Sequence, residues 1–169
     1  MKIIGVALVV CSSFFVGLEL NSVQKKRINA LSAFCSDLQL MQSLLSSSPR
    51  TVADLCKKVS ELGSASSRGF FLAFAEGLDR LGNESAYEIW SQALEIHLNE
   101  LNADDKNIIK MLGAMFGCYS LQEQIDAIKH CISELTQTLQ EIRNRYIDNR
   151  RLYLGISLSA GTFLVLVLI

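Results

Sequence analysis

The sequence predicts an all-α fold, a six-helix bundle carried between two apolar end segments, and three observations lead to it. There is one proline in 169 residues. Strand signals such as Asn-Gly hairpins and alternating β-branched runs are missing. From Ser120 onward, Leu121, Ile125, Ile128, Ile132, Leu135, Leu139, Ile142 and Tyr146 recur at alternating intervals of four and three. That heptad stripe is the mark of a helix packed lengthwise on another helix.

In chain order, the first segment is Ile3 to Leu20, uncharged except for Glu19 at its edge. It reads as a retained transmembrane anchor rather than a cleaved signal peptide. No small-x-small cleavage site is offered between Val16 and Leu20, and the helical pattern continues through Lys25 to Leu45. Ile28, Leu31, Cys35, Leu38 and Leu45 extend the helix beyond the anchor, with Gln42 interrupting the stripe. Ser46, Ser47, Ser48 and Pro49 mark a stop and a restart, because Ser caps well and Pro fits the first helical turn. The second helix, Thr51 to Leu62, sets Val52, Leu55, Val59 and Leu62 on one face and ends at Gly63. The third, Ser67 to Leu81, carries Phe70, Phe71, Phe74, Leu78 and Leu81 up to Gly82.

Asn83 is expected to cap the fourth helix, whose core face is Ala86, Ile89, Trp90, Ala93, Leu94 and Leu98. Trp90, the only Trp of the chain, therefore belongs to a helix interface rather than a pocket. Asn102 or Asp104 opens the fifth helix, bearing Ile108, Ile109, Leu112, Met115 and Phe116 and ending at Gly117. Gly113 on that helix suits the close approach of a neighbouring backbone. A capping box, Ser120 with Glu123, opens the last helix. Its heptads give way near Tyr153 to the uncharged run Leu152 to Ile169, which rises about 27 Å as a helix, close to the hydrocarbon thickness of a bilayer. The whole element is expected to be one helix of about 75 Å that starts in a soluble domain and finishes in a membrane.

Three parts result: a transmembrane anchor at 1–20, a cytoplasmic helical bundle at 21–151 and a second anchor at 152–169. The long first and last helices are expected to pair antiparallel. Lys25, Lys26 and Arg27 follow the first span, and Arg143, Arg145, Arg150 and Arg151 precede the second. By the positive-inside rule the bundle faces the cytoplasm. A formal net charge of −1 gives no footprint for nucleic acid.

The five cysteines are odd in number and none is spaced as CxxC, so they read as reduced thiols packed as small apolar residues. No stretch matches a Walker A loop, GxGxxG, HExxH, GxSxG or an EF-hand. His97 and His130 stand on different helices without ligand-spaced neighbours. Cys131 follows His130 directly, and adjacent helical residues point about 100° apart, which disfavours a nucleophile and base pair. Asp104 and Asp105 suit a helix N-terminus. No catalytic group, metal or cofactor is expected. Gly155 with Ser159, and Ser157 with Gly161, set small residues four apart in the last span, where another helix fits.

LGAMFG at Leu112 to Gly117, then the cap at Ser120 and Gln124, resembles the LG, LG, Asp, Gln pattern of the stage III sporulation protein AB family. GLDRLGNESAYEIWSQAL, with Gly82, Trp90 and Leu94, is similar to that family's segment in which a Gly turn precedes a Trp-bearing helix. The order of parts agrees along the chain, with Pro49 starting the second helix. Ser120 replaces the usual Asp, and Arg50 stands where an apolar residue is more usual. The motif positions carried over are Pro49, Gly82, Trp90, Gly113, Gly117, Ser120 and Gln124.

The resemblance implies a non-enzymatic platform in the mother cell's outer forespore membrane, part of the channel complex joining mother cell and forespore. It implies a bundle like the cytoplasmic domain of the type II secretion inner-membrane platform protein, with the secretion-type ATPase stage III sporulation protein AA and other channel membrane proteins as partners. Two acidic faces are candidate contacts: Glu76, Asp79, Glu84 and Glu88, and Glu95, Glu100, Asp104 and Asp105. Glu84, Glu88, Asp104 and Asp105 are the positions chosen to test. The alternative is a membrane-anchored sensor or adaptor holding a small ligand among Trp90 and the Phe residues.

Overall fold

The computed structural model describes residues 2–47, 51–80, 82, 84–116 and 120–168, and side chains for those between 22 and 147. The described residues form six α-helices: α1 (Lys2–Ser47), α2 (Val52–Leu62), α3 (Arg68–Gly77), α4 (Ala86–His97), α5 (Ala103–Gly113) and α6 (Leu121–Leu168). A 3-10 turn, Leu78–Arg80, follows α3, and the described residues contain no strand. Residues 25–139 form one compact unit, and residues 1–24 with 140–169 form another.

Short polar pairs decide where the helices of the 25–139 unit begin. At α2 the Thr51 hydroxyl accepts from the Asp54 N–H at 3.2 Å. At α4 the Ser85 N–H donates to Glu88 Oε2 at 2.7 Å while Ser85 Oγ accepts from the Glu88 N–H at 3.2 Å. At α5 the Asn102 side chain accepts from the Asp105 N–H at 2.9 Å. At α6 the Ser120 N–H donates to Glu123 Oε2 at 2.8 Å, and the Glu123 N–H returns to Ser120 Oγ at 3.4 Å. Each pair satisfies N–H groups that a helix start leaves open.

Several boundaries and faces differ from the sequence expectation. The cap of α4 is Ser85 rather than Asn83, because only Ser85 has a Glu three residues on to close the box; Asn83 itself lies outside the described residues. Helix α3 runs Arg68–Gly77, and its last turn tightens to 3-10 geometry before Gly82, whose φ of 110° only glycine adopts without strain. Helix α5 stops at Gly113, and Gly117 lies outside the described residues, as does Pro49. Leu62 is exposed at the end of α2 and Leu121 at the start of α6, since a stripe leaves its partner where the helix ends.

On α1 the buried stripe is Leu31, Phe34, Leu38, Met41 and Leu45, itself a 3-4-3-4 repeat that passes beside Gln42 instead of being broken by it. On α6 it is Ile125, Ile128, Cys131, Leu135, Leu139 and Ile142. Burial, and next the electrostatic influence of Cys35, pushes the Cys131 pKa up to about 12. Cys56 is also buried and its pKa is raised by desolvation. Cys56 and Cys131 are therefore poor nucleophiles at neutral pH.

The centre of the unit is aromatic. The Trp90 ring meets Phe70 at 4.6 Å and 79° and Phe74 at 4.7 Å and 87°, both edge-to-face, and Phe116 at 5.1 Å. Phe34 stacks on Phe71 at 5.7 Å. Edge-to-face pairing sets the positive ring edge against the negative face of its neighbour. On α1 the Asp37 carboxylate, 2% exposed, accepts from the Ser64 N–H at 2.8 Å and from the Ser67 hydroxyl. Those bonds hold the α2–α3 connection onto α1 and satisfy a carboxylate that water does not reach.

Among the described residues no helix is long and apolar enough to cross a membrane. The side chains of residues 3–20 and 152–168, where the sequence places the two spans, lie outside the described set.

Candidate functional site

The candidate acidic positions lie on and around the α4–α5 hairpin, and the structure gives most of them an internal partner. Asp105 is 0% exposed. Its Oδ2 accepts from Arg27 Nε at 2.7 Å and its Oδ1 from Arg27 Nη2 at 2.8 Å, a two-pronged pair joining residues 78 apart in sequence. The Asp105 carboxylate in turn raises the pKa of the Arg27 guanidinium. Asp105 is therefore no part of a contact surface. Its position at the first turn of α5 aims the carboxylate inward at α1, which the local sequence does not reveal.

Glu88 is exposed but committed to the Ser85 box, whose backbone N–H and hydroxyl hold its pKa below the usual carboxylate range. Glu84 sits 3.4 Å from Arg80 Nη1. Asp104 is exposed and lies near enough to Arg27 to help hold it charged. Of the four chosen positions, only Asp104 presents a carboxylate without a hydrogen bond or ion pair among the described residues.

Glu95 binds two cations of α5, Lys106 at 2.6 Å and Lys110 at 2.8 Å. These bonds, Lys106 first, bring its pKa down to about 2. A depressed folded-state value contributes stability above the unfolded carboxylate value, and that contribution is lost as pH falls toward the folded one. The melting temperature should accordingly drop on acidification from about pH 4.5 to pH 2. Glu95→Gln should melt lower at pH 7 and lose less across that window, as followed by circular dichroism.

Of the motif positions, Trp90 and Gly113 pack against each other. Trp90 Nε1 donates to the Ile109 carbonyl at 2.8 Å in a buried bond. Gly113 leaves room for the Trp90 side chain, since a Cβ there would collide with Cδ1, Cγ and Cβ of Trp90. The close approach read from Gly113 is real, but it is made by an indole and not by backbone. Ser120 caps α6 and Gln124 is half-buried in its first turn. His97 rests on Gly69, and His130 is exposed 3.7 Å from Glu134. Trp90 and the Phe rings named for a ligand in the alternative reading pack against one another, with Trp90, Phe34, Phe70, Phe71 and Phe74 each 0% exposed.

Bundle and site together define a structural helical module, one whose polar side chains lock helices to one another around an aromatic centre. The chain belongs to the stage III sporulation protein AB family, whose model matches residues 2–169. A solved structure of a stage III sporulation protein AB (SpoIIIAB) is similar with a TM-score of 0.63 and 18% identity, covering 72% of this chain and 97% of that one. That likeness bears on the fold. No curated protein matches the chain. Membership ties the chain to sporulation and to a structural family rather than an enzyme family.

Proposed function

We propose that this chain is a two-pass membrane platform of the secretion-like channel complex made during endospore formation, coupling the cytoplasmic ATPase stage III sporulation protein AA to the membrane assembly. The observation that carries the reading is the continuity of two helices. α1 begins at Lys2 and α6 ends at Leu168, so each contains one apolar end segment and part of the bundle without a break. Grouping of residues 1–24 with 140–169, and the electrostatic influence of Cys35 on Cys131, support an antiparallel α1–α6 pair. Basic residues next to both apolar segments favour a bundle on the mother-cell cytoplasmic side, the side that holds ATP.

Other membrane proteins of the channel would pack on the Gly155/Ser159 and Ser157/Gly161 rows, and the lipid bilayer of the outer forespore membrane would surround both spans. With Asp105 turned inward, the acidic contact surface reduces to Glu84, Glu88 and Asp104, of which Asp104 is the most available.

The test is recovery of the tagged full-length chain from sporulating cells. It should stay in the membrane fraction through alkaline carbonate washing and retain the ATPase after detergent extraction, and Asp104→Lys should lower that retention several-fold. Release of the chain by carbonate, or equal ATPase recovery with an unrelated membrane bait, would refute the platform reading.

A further inference from the structure

The outer face of α3 presents Arg68, Leu72 and Glu76, all exposed, at intervals of four residues. One helical row therefore reads cation, apolar, anion over about 12 Å, with Leu72 at its midpoint. Beside it lies an open groove of about 510 Å³ lined by Lys57, Ser60, Glu61, Arg68 and Leu72. Arg68 Nε donates to the Ser60 carbonyl at 3.1 Å, which holds the guanidinium over this groove. Among the described residues neither Arg68 nor Glu76 forms an ion pair.

Both charges oppose their own helix. Arg68 stands in the first turn of α3, where the helix dipole disfavours a cation, and Glu76 in the last turn, where it disfavours an anion. The Ser67 hydroxyl is taken by Asp37, so no side chain caps the start of α3. Within the single chain Arg68 is accounted for in part by its bond to the Ser60 carbonyl in the last turn of α2, whereas Glu76 has no such partner among the described residues.

We infer that the α3 row is a self-recognition surface, on which a second copy of this chain docks its own α3 antiparallel about a two-fold axis through Leu72. A two-fold contact requires a self-complementary patch, and this row is one. Turned end for end about Leu72, Arg68 of each copy meets Glu76 of the other and the two Leu72 side chains meet on the axis. Each partner carboxylate then arrives beside the positive start of α3 and each guanidinium beside its negative end, cancelling both mismatches. Lys57 in the groove adds a cation on the side where the second copy brings Glu76.

The pairing makes an unusual demand on charge reversals. Arg68→Glu sets like charges against each other at both contacts of a homodimer, and so does Glu76→Arg. Mixed with one another, the two variants restore opposite charges at both.

Sedimentation equilibrium of the full-length chain in detergent should show a concentration-dependent dimer. Each single reversal should raise the dimer Kd about tenfold or more, with helicity unchanged. An equimolar mixture should recover dimer. A monomeric wild type, single reversals that leave the dimer unchanged, or a mixture that stays monomeric would each overturn the proposal.

Discussion

Trp90→Ala should destabilise the bundle by about 3–5 kcal/mol, the range for emptying a buried aromatic site, measured as a shift in the urea transition followed by circular dichroism. The indole is wholly buried, touches Phe70, Phe74 and Phe116, and spends its one N–H on the Ile109 carbonyl. Rings supplied by α3 and by the turn after α5 converge on it, so the cavity would open where three helices meet, with rigid neighbours unable to fill it.

Gly113→Ala provides the complementary measurement. On helix propensity alone it would stabilise α5 by about 1 kcal/mol, but its Cβ collides with Trp90, and overpacking of this kind costs about 1–3 kcal/mol. In a Trp90→Ala background the clashes with Cδ1 and Cγ are gone and only the one with Cβ of residue 90, at 2.8 Å, remains. The same Gly113→Ala substitution should then cost markedly less than it does beside the intact indole, a non-additive cycle. An additive cycle would show that Gly113 is present for some reason other than the indole.

The parts of this fold that local patterns encode could be read from the sequence. Six helices, the Ser120–Glu123 box and the burial of Trp90 follow from spacing within single segments. Ser85 and Glu88 carry the same three-residue signal, yet Asn83, a good cap in isolation, drew the boundary two residues early. On α1 Cys35 is buried as read, but Phe34 and Met41 are buried beside it, and following them carries the stripe past Gln42.

Polar pairs between distant segments were not legible at all. Nothing near Asp37 announces that Ser64 and Ser67 will close over it, and nothing near Asp105 announces Arg27. An acidic residue at a helix start has a sufficient local reason to be there in the dipole. The long-range reason becomes visible only when α5 is laid against α1.

That long-range reason makes the Arg27–Asp105 pair the second site of large effect. Asp105→Ala should cost about 1–3 kcal/mol, the range for losing hydrogen bonds to a charged group that keeps access to water, because it removes both hydrogen bonds to Arg27 and the side-chain acceptor near the Asn102 N–H. Arg27→Met should cost more, about 3–5 kcal/mol, because it leaves the fully buried carboxylate with only the weak 3.4 Å contact to Asn102. The double substitution Arg27→Met with Asp105→Leu should be far milder than the sum, since it removes both charges and leaves none unpaired.

The cycle also decides how binding experiments on this face are read. Charge reversal at Asp105 would set two like-signed demands against each other inside the bundle: Arg27 would lose its acceptor and gain a buried cation as neighbour. Any loss of partner capture by such a variant reports unfolding at the α1–α5 contact. Asp104, one residue earlier and exposed, tests the surface without touching that pair. If the two reversals gave equal loss of capture with equal thermal stability, the inward role assigned to Asp105 would be wrong.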